Sequence, residues 1–235
     1  MEYNKKGIKE YLFPHRCPFC GRAEEKEICI YCAEKVVYIE EPRCKKCGKP
    51  VRKAEQEYCH DCSVHPHYFE EGRSLWIHKP PVNQSVYQFK YGGRRIYGEY
   101  YVRKMAEMYG RTIKRWGIDQ IVPVPLHPGK QRKRGYNQAW ILASGLAELT
   151  GISADETGIL RVRFTVPQKQ LSDRQRKKNL KGAFQTAKGF KPGKNVLVVD
   201  DIYTTGCTID EVSRVLLLAG AEKVFFLTIS VGQGF

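Results

Sequence analysis

Residues 196–208 read VLVVDDIYTTGCT, and the fold follows from the order of chemistry in that stretch. Val196 to Val199 is an uninterrupted apolar run, the pattern of a strand covered on both faces in a parallel sheet. Asp200 and Asp201 stand at its carboxyl end, where open α/β sheets bind their ligands. Two adjacent carboxylates there repel each other and lose hydration, so they call for a bridging partner such as polyol hydroxyls or a divalent cation. Thr204, Thr205, Gly206, Cys207 and Thr208 then supply backbone N–H groups, hydroxyls and an unhindered turn. An amphipathic helix follows, with Ile209, Val212, Leu216 and Ala219 on one face. Unsatisfied amides and the helix dipole at such a start favour a phosphate. An acid pair for hydroxyls beside a loop for phosphate predicts a phosphosugar site; a Thr N-cap alone would leave the acid pair unexplained.

The chain has 235 residues, room for one full core and an appendage. No apolar run reaches the roughly 18 residues of a membrane span, and the amino terminus lacks the apolar stretch of a secretory signal, so a cytoplasmic location is expected. The formal charge is +15, and it is unevenly placed: residues 1–72 hold 13 Lys and Arg against 13 Asp and Glu. All of the excess therefore lies in residues 73–235, which points to a polyanionic partner of that part, single-stranded DNA among the candidates. The P-loop pattern G-x-x-x-x-G-K-[ST] does not occur, so nothing supports an ATP-driven role.

Eight of the nine cysteines form four C-x-x-C pairs: Cys17 with Cys20, Cys29 with Cys32, Cys44 with Cys47, and Cys59 with Cys62. In a reducing compartment such pairs are zinc ligands, since two thiolates at this spacing chelate one tetrahedral ion. Adjacent pairing gives two short ribbons in sequence; a crossed arrangement and a single filled site satisfy the same spacing. Four protein ligands per ion leave no open catalytic position, so the metal is structural, stapling a segment too small for a core of its own. The domain boundary is expected near residue 72, with a zinc-ribbon domain over 1–72 and an α/β domain over 73–235.

Within the second part, residues 85–98 (SVYQFKYGGRRIYG) interleave Tyr87, Phe89, Tyr91 and Tyr97 with Lys90, Arg94 and Arg95, either as a stacking platform for a nucleic-acid strand or as core-facing aromatics. They lead into a helix running towards Trp116. Ile118 to Val124 reads as a strand that ends in Pro123, Val124, Pro125 and Leu126, whose two prolines fix the turn and stop the ladder, followed by the basic turn HPGKQRKRGYNQ with Lys130, Arg132, Lys133 and Arg134. Ile159 to Phe164 reads as a further strand. Thr165 to Phe184 is polar and strongly basic, the composition of a lid over an anionic ligand. Lys223 to Val231 closes the sheet.

The stretch 196–208 resembles the phosphoribosyl pyrophosphate (PRPP) signature of type I phosphoribosyltransferases. That likeness implies ribose hydroxyls on Asp200 and Asp201, the 5′-phosphate on the Thr204 to Thr208 loop, and pyrophosphate on the backbone of Val124, Pro125 and Leu126 with charge support from Arg134. It also implies magnesium entering with PRPP. Together the C-x-x-C pairs, FKYGGRR, VPVPL with RKRGYNQ, the spaced pattern from Gln168 to Phe184, and VDDIYTTGCT resemble the ComF or ComFC family over almost the whole chain. The resemblance implies a zinc ribbon joined to a phosphoribosyltransferase-like α/β domain, a parallel sheet flanked by helices, and a role in natural competence beside other competence proteins. It leaves open whether phosphoribosyl is transferred to an acceptor or the site only binds, in a factor that handles single-stranded DNA.

Overall fold

The computed structural model describes residues 16–164, 175 and 179–232. Five strands form one parallel sheet: β1 (Glu71–Ile77), β2 (Gln120–Pro123), β3 (Ser153–Ala154), β6 (Asn195–Tyr203) and β7 (Lys223–Val231), in the order β1-β7-β6-β2-β3. The two central strands are long apolar runs because both of their faces are covered. One face carries the helices α3 (Val82–Tyr91), α4 (Tyr97–Trp116) and α6 (Gln138–Thr150); the other carries α7 (Cys207–Leu218). In α4 the buried positions Tyr97, Tyr101, Met105, Tyr109 and Ile113 recur every fourth residue, which turns one stripe to the sheet. Gly117 at φ 61° ends it.

Several boundaries differ from the sequence expectation. Strand β6 continues past Val199 through both carboxylates to Tyr203, because the register with β7 continues to Tyr203 opposite Val231. Ile159–Arg161 (β4) does not join the main sheet; it pairs antiparallel with Phe184–Thr186 (β5) as a separate ribbon. The segment read as a lid lies between these strands, mostly outside the described residues. Strand β1 was hidden in the composition change after Phe69, since Arg73 and Ser74 interrupt its apolar pattern. Both are buried: Arg73 meets the Glu71 side chain, and Ser74 shares a 2.7 Å hydrogen bond with Thr228.

The cysteine-rich segment is packed into both cores. Residues 16–36, including the short helix α1 (Ile30–Ala33), press Phe19 edge-on against Trp76 and Tyr100, with ring centroids 5.4 and 5.7 Å apart. Residues 43–64, including α2 (His60–Val64), pack on the opposite face beside Phe69, Tyr203 and Phe226. The connection between them pairs with the outer edge of β1: Ile77 donates to the Val37 carbonyl at 3.0 Å and Ile39 to that of Leu75 at 3.4 Å. That covers an edge otherwise open to further strands. Among the described residues no helix is long and apolar enough to cross a membrane.

Trp76 is fully buried between the first cysteine segment and α4, stacked on Tyr100 at 6.0 Å. Trp76→Ala is expected to destabilise the protein by about 3–5 kcal/mol in urea unfolding, with loss of protection from proteolysis in residues 16–36. A cost below about 1 kcal/mol would show that this segment does not share the core.

Candidate functional site

The acid pair lies within β6, and strand alternation sends its two side chains to opposite faces of the sheet. Both are buried, Asp200 at 8% and Asp201 at 4% exposure. Cations from two different layers act on them. On the α3 face, Lys90 Nζ lies 2.8 Å from Asp201 Oδ2, at ion-pair distance but outside hydrogen-bonding alignment. On the other face Arg161 of β4 contributes its positive charge to Asp200. The Asp201 amide donates to Asp200 Oδ1 at 2.8 Å. Burial first, and then the charge of Asp201, push the Asp200 carboxyl up to about 7, with Lys90 and Arg161 offsetting part of the rise. The pair is thus only partly compensated and suits hydroxyl groups. Carboxylates on opposite faces, one already against Lys90, do not make a ready oxygen cage for a divalent ion.

The Thr204 to Thr208 loop follows directly. Gly206 adopts φ 80° and caps α7, and a Cβ there would stand 2.6 Å from the Tyr203 hydroxyl, so both conformation and space require glycine. Thr204 is exposed, Thr205 and Thr208 half-buried, and Cys207 buried with its sulfur 3.2 Å from Thr205 Oγ1. The loop rests on the second cysteine segment. Tyr203 stacks on Phe226 at 4.7 Å, and Lys49 Nζ lies over the Tyr203 ring at 5.7 Å. Asp210, in the first turn of α7, accepts from the Tyr68 amide at 2.9 Å and meets His67 Nδ1 at 2.8 Å.

A third group comes from α5 (Pro128–Arg134) and its neighbours. Arg134 lies over the Tyr91 ring at 4.8 Å, and Arg95 over the Tyr136 ring at 4.4 Å while donating to the Gly135 carbonyl at 3.0 Å. The two motifs FKYGGRR and RKRGYNQ therefore clasp each other through reciprocal Arg–Tyr contacts. Burial, with the charges of Arg161 and Arg134, holds Lys130 below the usual lysine range, so these three cations share one electropositive corner. Of the residues proposed for a backbone contact, Val124 donates its amide to Val199 O at 2.9 Å, and its carbonyl accepts from Asn137 Nδ2 at 3.1 Å. Pro125 has no N–H. Among these three, Leu126 carries the amide that can turn to an anion.

Lys90 and Arg161 were not read as members of this site. Lys90 had been grouped with the aromatic stretch, and its signal was helical phase: it follows the buried Phe89 on the margin of the apolar face of α3. Arg161 carried no local signal, because its place depends on the β4–β5 ribbon. The aromatic stretch itself divides, with Phe89 and Tyr97 buried and Tyr87 and Tyr91 exposed.

The cysteines resolve into two adjacent sets, Cys17, Cys20, Cys29, Cys32 and Cys44, Cys47, Cys59, Cys62, with sulfur atoms inside each set within 4.8 Å of one another. The Cys20–Cys29 and Cys47–Cys59 sulfurs are both 3.6 Å apart, close to the ~3.8 Å edge of a tetrahedron with 2.3 Å Zn–S bonds. Each set repeats one knuckle: Gly21 and Gly48, both at φ 75°, donate to Cys17 O and Cys44 O at 2.8 and 2.9 Å. The donor sets fit zinc and leave no open coordination position. Metal analysis should find two zinc ions per chain. A mild thiol oxidant should release one ion well before the other, from the first set, where Cys20 is exposed. Equal release rates, or a single ion per chain, would contradict this geometry.

The double zinc ribbon domain family matches residues 8–63. DNA utilization protein YhgH of Salmonella typhimurium is 33% identical over 211 residues, which cover 88% of this chain and 86% of that protein. Competence protein F of Haemophilus influenzae is 28% identical over 222 residues, covering 91% and 95%. Among solved structures, an adenine phosphoribosyltransferase overlaps 57% of this chain and 71% of its own at 15% identity and a TM-score of 0.35, a shallow likeness. With a relative of this identity matched over most of both lengths, the chain belongs to the ComF/ComFC family of competence proteins.

Proposed function

We propose that the α/β part binds PRPP at the carboxyl end of β6 and that this binding serves the handling of DNA in natural competence. The observation that carries the reading is the buried, incompletely compensated pair Asp200 and Asp201, followed at once by the glycine-capped start of α7. In this reading the two carboxyl groups orient the ribose hydroxyls. The loop from Thr204 through Thr208 takes the 5′-phosphate on amides and hydroxyls. The pyrophosphate faces Leu126 and the corner formed by Lys130, Arg134 and Arg161. Magnesium arriving with the ligand would neutralise pyrophosphate charge, held mainly by ligand oxygens given the separated carboxylates. The same arrangement suits departure of pyrophosphate from the sugar, because the protein's part is positioning and fixed charge.

A second function is favoured by a separate observation. The positive excess lies wholly in residues 73–235, and Arg94, Arg132 and Lys133 are exposed at the clasp beside the site. This basic rim suits a single-stranded DNA backbone, in keeping with a relative named for DNA utilization.

Titration of the zinc-loaded protein with PRPP and magnesium should give one site per chain, weakened at least about tenfold, roughly 1.4 kcal/mol, by Asp200→Ala with Asp201→Ala. Binding untouched by that pair of substitutions would remove the assignment. Single-stranded DNA affinity should fall steeply with salt, and Arg94→Ala with Arg132→Ala should flatten that dependence.

A further inference from the structure

The second cysteine set lies against the loop proposed to take phosphate, and its residues reach that loop by two routes. Its first knuckle is seated on the main sheet: the Gly72 amide donates to the Lys46 carbonyl at 2.8 Å, and a Cβ at Gly48 would stand 2.7 Å from the Gly72 carbonyl oxygen. Lys49 follows directly, 3% exposed, with Nζ 2.7 Å from Asp61 Oδ2. Asp61 lies between Cys59 and Cys62, so this ion pair closes the two halves of the set on each other. A buried ammonium is tolerated while such a partner stays in place.

The first route runs through Tyr203. The Lys49 ammonium lies over the Tyr203 ring at 5.7 Å, and the ring also stacks on Phe226 at 4.7 Å. The Tyr203 hydroxyl, buried without a hydrogen-bond partner, occupies the space beside Gly206. A glycine restrains its own backbone weakly, so the ring against it decides how the loop settles. The second route meets the first turn of α7. Asp210 donates its amide to Gly206 O at 2.7 Å, while its carboxylate accepts from the Tyr68 amide at 2.9 Å and meets His67 Nδ1 at 2.8 Å. His67 and Tyr68 follow α2, the helix that carries Cys62. The first cysteine set is built into the opposite layer, where Phe19 packs on Trp76 and Ser85 donates to the Pro18 carbonyl.

We propose that the second cysteine set, when it holds zinc, positions the phosphate loop through Lys49, Tyr203 and Asp210, so that zinc binding and phosphosugar binding are coupled. The inference rests on the PRPP reading for its ligand; the link from set to loop does not depend on which ligand arrives. While the four sulfurs are drawn together, Lys49 and Asp61 stay paired and the loop presents its amides in one arrangement. Without the ion the sulfurs need not converge, the pair opens, and the loop samples arrangements from which a phosphate must select one. That selection lowers ligand affinity, and by linkage the ligand tightens zinc in this set by the same factor, about tenfold within the ordinary range of such couplings.

The test compares three preparations of the full chain: unaltered with both ions, Cys17→Ser with Cys20→Ser holding only the second ion, and that variant stripped by a chelator. Hydrogen–deuterium exchange is followed without ligand in peptides covering residues 203–211 and, as a control, β7. Loss of the second ion should speed exchange in 203–211 about tenfold while β7 stays protected, and loss of the first alone should not. Exchange in 203–211 that ignores the second ion, that rises equally in β7, or that responds to the first ion alone overturns the proposal whatever PRPP does. The second ion is then titrated with a competing chelator with and without saturating PRPP and magnesium. PRPP should raise its retention about tenfold, and Lys49→Met should abolish that gain; a gain that persists in the variant overturns the relay. PRPP that binds yet leaves retention unchanged overturns the coupling and leaves the PRPP reading intact. PRPP that fails to bind sinks that reading, and the exchange result then decides the positioning role by itself.

Discussion

Two neighbouring carboxyl groups buried on one strand are the constraint around which the rest of this structure is arranged. In water such a pair repels weakly; inside a sheet each charge loses its solvent and feels the other strongly. Alternation along β6 separates the side chains to opposite faces, so Lys90, paired with Asp201, reaches Asp200 only through its charge, and Arg161 adds positive charge from the other layer. These two cations come from elements far apart in the chain, α3 and the β4–β5 ribbon. The acid pair therefore makes demands on both helical layers, and what compensation remains missing is what a ligand would supply.

The cysteine-rich segments belong to the same economy of support. A segment of this size cannot bury a sufficient core alone, and metal cross-links replace the missing apolar surface. Here the two sets sit on opposite faces of the β1 edge and share the cores of the larger part. The second also reaches the ligand loop: buried Lys49 pairs with Asp61 at 2.7 Å, between Cys59 and Cys62, and lies over Tyr203, whose hydroxyl fills the space that a side chain at Gly206 would need. Tyr68 and His67 hold Asp210 in the first turn of α7. The metal-stapled segment is thus a buttress for the loop proposed to take phosphate, which gives a physical reason for joining the two parts in one chain.

What could be read from the sequence was what local chemistry determines. The apolar runs of β6 and β7, the fourfold recurrence of buried residues in α4, and the C-x-x-C pairs each state their role within a few residues. Adjacent against crossed pairing of the cysteines was not legible, because spacing constrains both alike; the fold decides by bringing the paired knuckles together. Strand β1 was illegible because buried Arg73 and Ser74 break its apolar pattern, and partners such as Glu71 and the Gly72 carbonyl for Arg73 and Thr228 for Ser74 make burial tolerable. Arg161 entered the site through tertiary placement alone. Arg134, chosen for its charge, also stacks on Tyr91, and that second role depends on a clasp between motifs some forty residues apart.

The central claim is that Asp200 is a buried carboxyl awaiting hydroxyl groups and positive charge. Burial first, and then the neighbouring charge of Asp201, hold it well above the ordinary carboxylate range, so the folded protein without ligand retains a proton here under conditions in which surface carboxyls are ionised. Ligand groups that favour the charged form would lower it and drive the proton off. Infrared difference spectroscopy at pH 6 reads this directly. The account predicts a protonated-carboxyl band that is absent in Asp200→Asn and disappears when PRPP and magnesium saturate the unaltered protein. No band sensitive to that substitution, or one unchanged at saturation, would contradict it.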